Sequence, residues 1–333
     1  MRKKKPMSEY SNVVQLLKKA KNVAIFMHIN PDCDCIGSAI ALWRFLKNDG
    51  KNATFFSPDL TSVDMISRKY AFLPFFDYFN RIENPEFDLA VAVDTGDAGR
   101  VGDVAFKKFI KIKQNAVIDH HEIFENFSKN VIREHNSAST TQILFKIMCE
   151  YDKSLIDKDI ATLLYAGLVT DSGGFTFENC SPETYRTAAD LVSYGINHSE
   201  ICNRLLKSTA KNVFDLRNRI LAQTKFYENS RLGIIVFRQI DFIETGTTDA
   251  DTDGIINFVR DVEGVDLAVS IAETGDKKYK VSFRSTEKVN SAFCARCFGG
   301  GGHARAAGCR IYGYFEDAYN KILDAMKEML NND

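Results

Sequence analysis

Three histidines and six aspartates fall in four short clusters. They are His28-x-x-Pro31-Asp32-x-Asp34, Val93-Asp94-Thr95-Gly96-Asp97, Asp119-His120-His121 and Gly167-Leu168-Val169-Thr170-Asp171. The chain has only six histidines, so half of them stand beside aspartates. Carboxylate and imidazole ligands without paired thiolates suit hard or borderline divalent cations, with Mn²⁺ ahead of Mg²⁺ and both ahead of a Cys-rich zinc site. A carboxylate can bridge two cations about 3.5–4 Å apart, one activating water and one neutralising phosphoryl oxygens and the leaving group. Taken singly, Asp32 or Asp34 reads as a helix cap or turn residue. A lone histidine at a strand end reads as a hydrogen-bonded surface residue. These bland readings weaken because the clusters recur together. Unpaired carboxylates buried close to one another are very costly without cations.

The elements that must position these residues alternate. A helix is expected over 8–21, then a buried apolar strand over 23–27 running into His28. A polar loop over 30–35 leads into a helix that opens at Gly37-Ser38 and runs to Leu46. Further strands are expected at 53–56, at 87–93 running into Asp94, and at 116–118 running into Asp119. Helices are expected at 138–150 and 158–170. The alternation predicts a mostly parallel α/β sheet flanked by helices. Ligands of such sheets sit at the carboxyl ends of the strands, where His28, Asp94 and Asp119-His120-His121 fall.

Residues 182–228 read as helical and polar, with no strand candidate. Strands are expected again at 232–237, 267–271 and 279–283, with helices at 252–263 and 315–330. The expected organisation is a catalytic metal-binding domain over 1–196, a helical linker over 197–229 and a smaller α/β substrate-binding domain over 230–333, with the active cleft between the domains. A chain of 333 residues is natural for two cores.

Composition excludes several classes. A net charge of −1 argues against a protein that coats long duplex nucleic acid, yet allows a pocket for a short anionic substrate. No apolar run approaches the roughly 18 residues of a membrane span. The basic start Met1–Pro6 reads as a solvated tail with no apolar signal core behind it. Eight scattered cysteines then fit reduced thiols in a cytoplasmic protein.

The run Gly299–Gly302 would expose backbone N–H groups to a phosphate, with His303 and Arg305 adding donors. Asp249-x-Asp251-x-Asp253-Gly254 imitates a calcium loop but has Arg260 at the twelfth position, where a bidentate Glu is required. Cys294-x-x-Cys297 lacks a second pair and reads as two packed thiols. No phosphate-binding Gly-x-x-x-x-Gly-Lys-Ser/Thr loop is present. His135 and His198 are expected at the surface.

In order and spacing, the four clusters resemble the DHH phosphoesterase superfamily. Phe298-Gly299-Gly300-Gly301-Gly302-His303-x-x-Ala306-Ala307-Gly308 resembles its DHH-associated nucleotide-binding domain. The resemblance covers nearly the whole chain. It extends to the short, stand-alone group of bifunctional oligoribonucleases and 3′-phosphoadenosine 5′-phosphate phosphatases. The resemblance implies that His28, Asp32 and Asp94 hold a first metal. Asp34, Asp94, His120 and Asp171 then hold a second, with Asp94 bridging. Asp119 would orient a metal-binding histidine, and His121 would stabilise charge on the scissile phosphate. Arg284-Ser285 resembles the family's substrate-binding Arg-Ser pair. Gly300, Gly301, Gly302, His303, Arg305 and Arg100 complete the expected substrate contacts. Cys33 and Cys35 depart from the small residues frequent between and after the loop aspartates. Two small side chains turned away is the plainer reading of them, and a soft-metal site the sharper one.

The implied substrates are short RNA, cleaved to nucleoside 5′-monophosphates, and adenosine 3′,5′-bisphosphate, which would lose its 3′-phosphate. A homodimer is compatible with this reading. Alternatives are a phosphodiesterase for cyclic di-AMP or linear pApA, a manganese inorganic pyrophosphatase, and a non-catalytic nucleotide-binding module.

Overall fold

Strand β1, Asn22–Phe26, is buried at four of five positions, and the strand Leu89–Val93 at all five. Strands covered on both faces read as apolar runs rather than alternations, and this is how parallel sheets are built. In the computed structural model the first sheet comprises β1, β2 (Asn52–Phe56), β3 (Leu89–Val93), β4 (Gln114–Asp119) and β5 (Val131–Arg133). Every neighbouring pair is parallel, in the order β2-β1-β3-β4-β5. The structure describes residues 9–57, 70–78, 86–252, 254–302 and 304–331. Met1–Pro6, Asp253 and His303 lie outside the described residues.

The two faces of this sheet are unequal. Val23, Ile25, Leu89, Val91, Val93 and Ile118 meet the helices Cys33–Asn48, Thr140–Asp152 and Lys158–Asp171 in one large core. Ala24, Ala90 and Ala92 line the other face, where Phe26 meets Phe109 edge-on at 5.5 Å. Side-chain oxygens start the large helices. Asp32 accepts from Cys35 N at 3.0 Å, Ser139 from Gln142 N at 3.1 Å and Asp157 from Ile160 N at 2.9 Å. A capping oxygen of this kind stabilises a helix by about 0.5–2 kcal/mol.

The order places β1 between β2 and β3, so the chain leaves β1 in both directions across the sheet. A crevice opens at the carboxyl ends of strands at such a reversal. His28 and Asp94 follow β1 and β3 directly into it.

The chain divides into two compact units, Met1–Ser208 and Thr209–Asp333. This boundary falls inside the stretch expected as a linker. The helix His198–Cys202 and a π-helical turn, Asn203–Lys207, belong to the first unit, and the helix Lys211–Leu221 to the second. Strand β6, Lys225–Tyr227, lies where no strand was expected. It is only three residues long, two of them exposed, so no apolar run marks it.

The second unit carries β6, β7 (Leu232–Phe237), β8 (Leu267–Gly275), β9 (Lys278–Ser285), β10 (Gly301–Gly302) and β11 (Ala306–Tyr312). They pair in the order β10-β11-β9-β8-β7-β6, with only β7 and β8 parallel. One face meets the C-terminal helix Phe315–Asn331 through Ile322 and Met326, and the other meets the helix Lys211–Leu221 through Leu216 and Ile220.

Two glycines let the helices of the first unit close. A Cβ on Gly37 would stand 2.6 Å from the Leu163 carbonyl oxygen, and one on Gly167 2.7 Å from Asp34 Oδ1. We expect Gly37→Ala to destabilise the first unit by about 1–3 kcal/mol, because the obstacle is backbone that must shift. Thermal unfolding measures this, and an unchanged melting temperature would count against the close approach.

Candidate metal centre

The local backbone aims each side chain. His28 Nδ1 lies 2.8 Å from the Ile29 carbonyl oxygen, which fixes Nδ1–H as donor and leaves Nε2 as the ligating atom. That Nε2 is buried and makes no hydrogen bond. Asp94 turns off the end of β3 with φ of +57°, a left-handed conformation that costs a non-glycine residue energy, though less for Asp than for most. Its N–H donates to Ile118 O of β4 at 3.0 Å, so the turn is tied to the sheet.

Asp34 is fully buried in the first turn of its helix. It accepts from Thr140 N at 2.7 Å, Thr141 N at 2.9 Å and Thr141 Oγ1 at 2.7 Å. These amides open the helix Thr140–Asp152, whose positive end favours a carboxylate. Thr140 Oγ1 also donates to Asp94 Oδ1 at 3.0 Å, so one residue ties two carboxylates together.

Donor atoms from five segments converge here. His28 Nε2 is 3.5 Å from Asp94 Oδ2, and His120 Nε2 is 3.6 Å from Asp94 Oδ1 and 3.3 Å from Asp171 Oδ2. Asp34, His120 and Asp171 offer atoms within 4.8 Å of one another, as do Asp94, His120 and His121. Such separations are long for hydrogen bonds. They match two donors each about 2.0–2.2 Å from a shared cation. The orphaned His28 Nε2 and the oxygen-rich donor set therefore fit divalent cations. Asp32 stands at the margin. Its side chain is half-exposed, caps the helix, and holds Oδ1 4.0 Å from His28 Nε2.

Asp119 serves a different histidine from the one expected. Its Oδ1 accepts from His121 N at 2.9 Å and lies 2.6 Å from His121 Nδ1. His120, the expected ligand, instead has Nδ1 3.3 Å from Ser137 O. The reason is local: Asp119 ends β4, and the following turn carries His121 back over its carboxylate. His121 Nε2 then accepts from Arg100 Nη1 at 2.9 Å. Arg100 is held by Asp97, whose Oδ1 accepts its N–H at 3.0 Å.

Charge in this cluster is unbalanced without cations. Burial pulls the His28 imidazole down, but the Cys35 sulfur and the Asp94 carboxylate outweigh it and push it up to about 12. Burial likewise opposes His120, which Asp171, Asp94 and Asp34 push up to about 10. Burial, with Asp32 and Asp94 nearby, raises Asp171 to about 6 against the pull of His120. Burial raises Asp34 well above the carboxylate range, with Asp94 and Asp171 adding to it. Asp94 is held low despite its burial by His28, His120 and His121. The site draws protons where it lacks metal.

The sequence of this chain matches the DHH family N-terminal domain over residues 22–168 and the DHHA1 domain over 234–332. It is 31% identical over 328 residues to the bifunctional oligoribonuclease and PAP phosphatase NrnA of Thermus thermophilus, covering 96% of this chain and 93% of that protein. The chain belongs to the DHH family. It is a DHH phosphoesterase with a C-terminal DHHA1 domain. The NrnA of Bacillus subtilis is 25% identical, covering 92% of this chain and 94% of its own. The crystal structure of an exopolyphosphatase-related protein from Bacteroides fragilis shares the fold, with a TM-score of 0.87 at 24% identity over 99% of this chain and 100% of that one. A manganese complex of RecJ from Thermus thermophilus aligns with a TM-score of 0.60 at 12% identity, over 99% of this chain and 55% of that one.

The DHHA1 residues show why their types are needed. Gly300 N donates to Ala295 O at 2.9 Å, and Gly299 N to Arg296 O at 3.0 Å, so these two amides are used within the fold. A Cβ on Gly300 would meet Gly308 O at 2.2 Å, and one on Gly302 would meet Ala307 Cα at 2.5 Å. Gly301 faces open space, as does Gly299, which instead needs glycine for its left-handed φ of +73°. Ser285, expected to touch substrate, is instead 3% exposed and donates to Val289 O at 2.6 Å. It ends β9 on the buried face, next to Arg284 on the more open one. Arg305 donates to Thr286 O at 2.6 Å. His135 and His198 are exposed as expected, but Cys297 is exposed rather than packed.

The roles of Thr140 and Thr141 are not legible in the sequence. Their signal, a Ser-Thr-Thr start to a helix, reads equally as an ordinary cap. Their role depends on Asp34, more than a hundred residues earlier in the chain. Because His28 and His120 hold protons at neutral pH without metal, binding must displace them. With the raised Asp34 also giving up a proton, Mn²⁺ binding should release at least about two protons per protein at pH 7, with affinity rising as pH rises. Calorimetry in buffers of different ionisation enthalpy measures this. Heats that do not depend on the buffer would overturn the charge assignment.

Proposed function

We propose that this DHH phosphoesterase hydrolyses short oligoribonucleotides to nucleoside 5′-monophosphates and removes the 3′-phosphate of adenosine 3′,5′-bisphosphate, with Mn²⁺ as its preferred cation. The carrying observation is the convergence of His28, Asp34, Asp94, His120 and Asp171 at one strand-end crevice, with Arg100 and His121 locked beside it. The NrnA relatives named as oligoribonuclease and PAP phosphatase supply the substrate class.

The cations, when bound, supply positive charge to the phosphoryl oxygens and acidify water at neutral pH. The chain's own residues do the rest. His28, Asp32, Asp34, Asp94, His120 and Asp171 hold the cations, with Asp94 offering one oxygen toward each side. Asp119 fixes the His121 tautomer, leaving the Nε2 lone pair facing Arg100. Arg100, oriented by His121, then receives the phosphoryl group, and a guanidinium can grip two of its oxygens together. In the DHHA1 domain, Arg284, Arg305, Gly301, Gly302 and His303 form the proposed set of nucleotide contacts. Gly300 and Ser285 act there by shaping the fold around that set.

The test is a turnover panel with Mn²⁺: adenosine 3′,5′-bisphosphate, linear pApA, a five-residue RNA, cyclic di-AMP and pyrophosphate. Fast turnover of the first three with slow cyclic substrate supports the proposal. Preference for cyclic di-AMP or pyrophosphate would replace it with one of those activities. Asp94→Ala should lose Mn²⁺ binding and turnover together. Arg100→Ala should keep Mn²⁺ binding yet lower kcat/KM by about 10²–10³-fold, as loss of one charge-stabilising donor does.

A further inference from the structure

One donor group at the centre contains sulfur. A ring nitrogen of His28, the Cys35 Sγ and a carboxylate oxygen of Asp94 lie within 4.8 Å of one another, and all three residues are buried. Cys35 is fully buried, and His28 is 2% exposed with its Nε2 orphaned. Asp32, by contrast, is half-exposed and spends Oδ1 on capping Cys35 N. At the β1 end of the centre, the thiol is thus one of three tightly grouped donors.

We propose that Cys35 is a sulfur ligand that lets the His28–Asp94 end of the centre capture a thiophilic divalent cation of the zinc or cadmium class. The inference rests on the reading of this crevice as a metal centre, and goes beyond it by adding a soft donor. Imidazole, thiolate and carboxylate together form a zinc-type set, whereas oxygen-rich sites favour manganese and magnesium. Binding would replace the Cys35 S–H bond with an S–metal bond and release the proton to solvent. The backbone supports this. The His28 N–H points at Cys35 Sγ at 3.4 Å, a donor suited to a thiolate, and the thiol has only a 3.8 Å contact to Val93 O to give up.

Cys33 does not share this arrangement. It is buried one turn position away and belongs to none of the grouped donor sets among the described residues. Cys33→Ser therefore serves as the control. Seven other thiols could bind a soft metal weakly, so the readout must be specific to Cys35.

The experiment loads the full chain with Zn²⁺ for X-ray absorption and with Co²⁺ for optical spectroscopy. The expected result is a Zn–S distance of about 2.3 Å and a sulfur-to-cobalt charge-transfer band. The band should disappear in Cys35→Ser and persist in Cys33→Ser. Zn²⁺ affinity should fall by more than about tenfold in Cys35→Ser, while Mn²⁺ affinity moves by less. Cobalt binding with d–d bands but no sulfur band would overturn the Cys35 assignment and leave the centre intact. Absence of any Co²⁺ or Mn²⁺ binding would instead overturn the centre itself. If Cys35→Ser does not fold, the absence of any Zn–S shell in the unaltered chain overturns the assignment, and a sulfur band that survives when the seven other cysteines are replaced by serine supports it.

Discussion

Negative charge crowded at the carboxyl end of a buried sheet is the constraint on which the first unit depends. Asp34, Asp94 and Asp119 are almost wholly buried, and Asp171 stands close by. Carboxylates in such a place must be compensated or protonated. The structure compensates part of the charge with fixed dipoles and leaves part for cations. Asp34 is met by two amides and a hydroxyl at a helix start. Asp94 and Asp171 instead face histidines at distances suited to a shared ion.

That division explains the helix packing around the site. The helix Thr140–Asp152 can reach Asp34 only if the helix Lys158–Asp171 comes close as well, and Gly37 and Gly167 remove the side chains that would prevent it. The close approach carries Asp171, the last residue of its helix, to His120. The left-handed backbone at Asp94 belongs to the same economy. Strain of about 1–3 kcal/mol at a functional residue persists only where its surroundings over-determine it. Here the strand end, Thr140 and two histidines do so.

His121 and Arg100 form a separate layer of the site. Asp119 binds both the amide and the ring of His121, so its Nδ1, although 3.7 Å from Asp94 Oδ1, is engaged by Asp119. Asp119 Oδ2 remains buried without a hydrogen bond, so this carboxylate is committed to orientation at a cost. The DHHA1 domain shows the opposite pattern. Its Gly-rich run is shaped chiefly by contact of β10 with β11, and the conspicuous Ser285 is part of the scaffold.

The sequence by itself determined the α/β class, the strands that end in chemistry, and the residues proposed as ligands. Those features are local: an apolar run of four or five residues is a buried strand wherever it lies, and an Asp or His at its end inherits a place at the sheet's edge. The helices over 140–152 and 158–171 were legible for the same reason, from their periodicity. Strands β5, β6, β10 and β11 were not, because they are short, exposed or rich in glycine and alanine and owe their shape to a neighbouring strand. Only the tertiary structure decided which histidine Asp119 orients, that Thr140 and Thr141 compensate Asp34, and that Cys35 rather than Asp32 groups with His28 and Asp94. Each of these is a contact between segments whose separation in sequence, or whose turn geometry, no local pattern encodes.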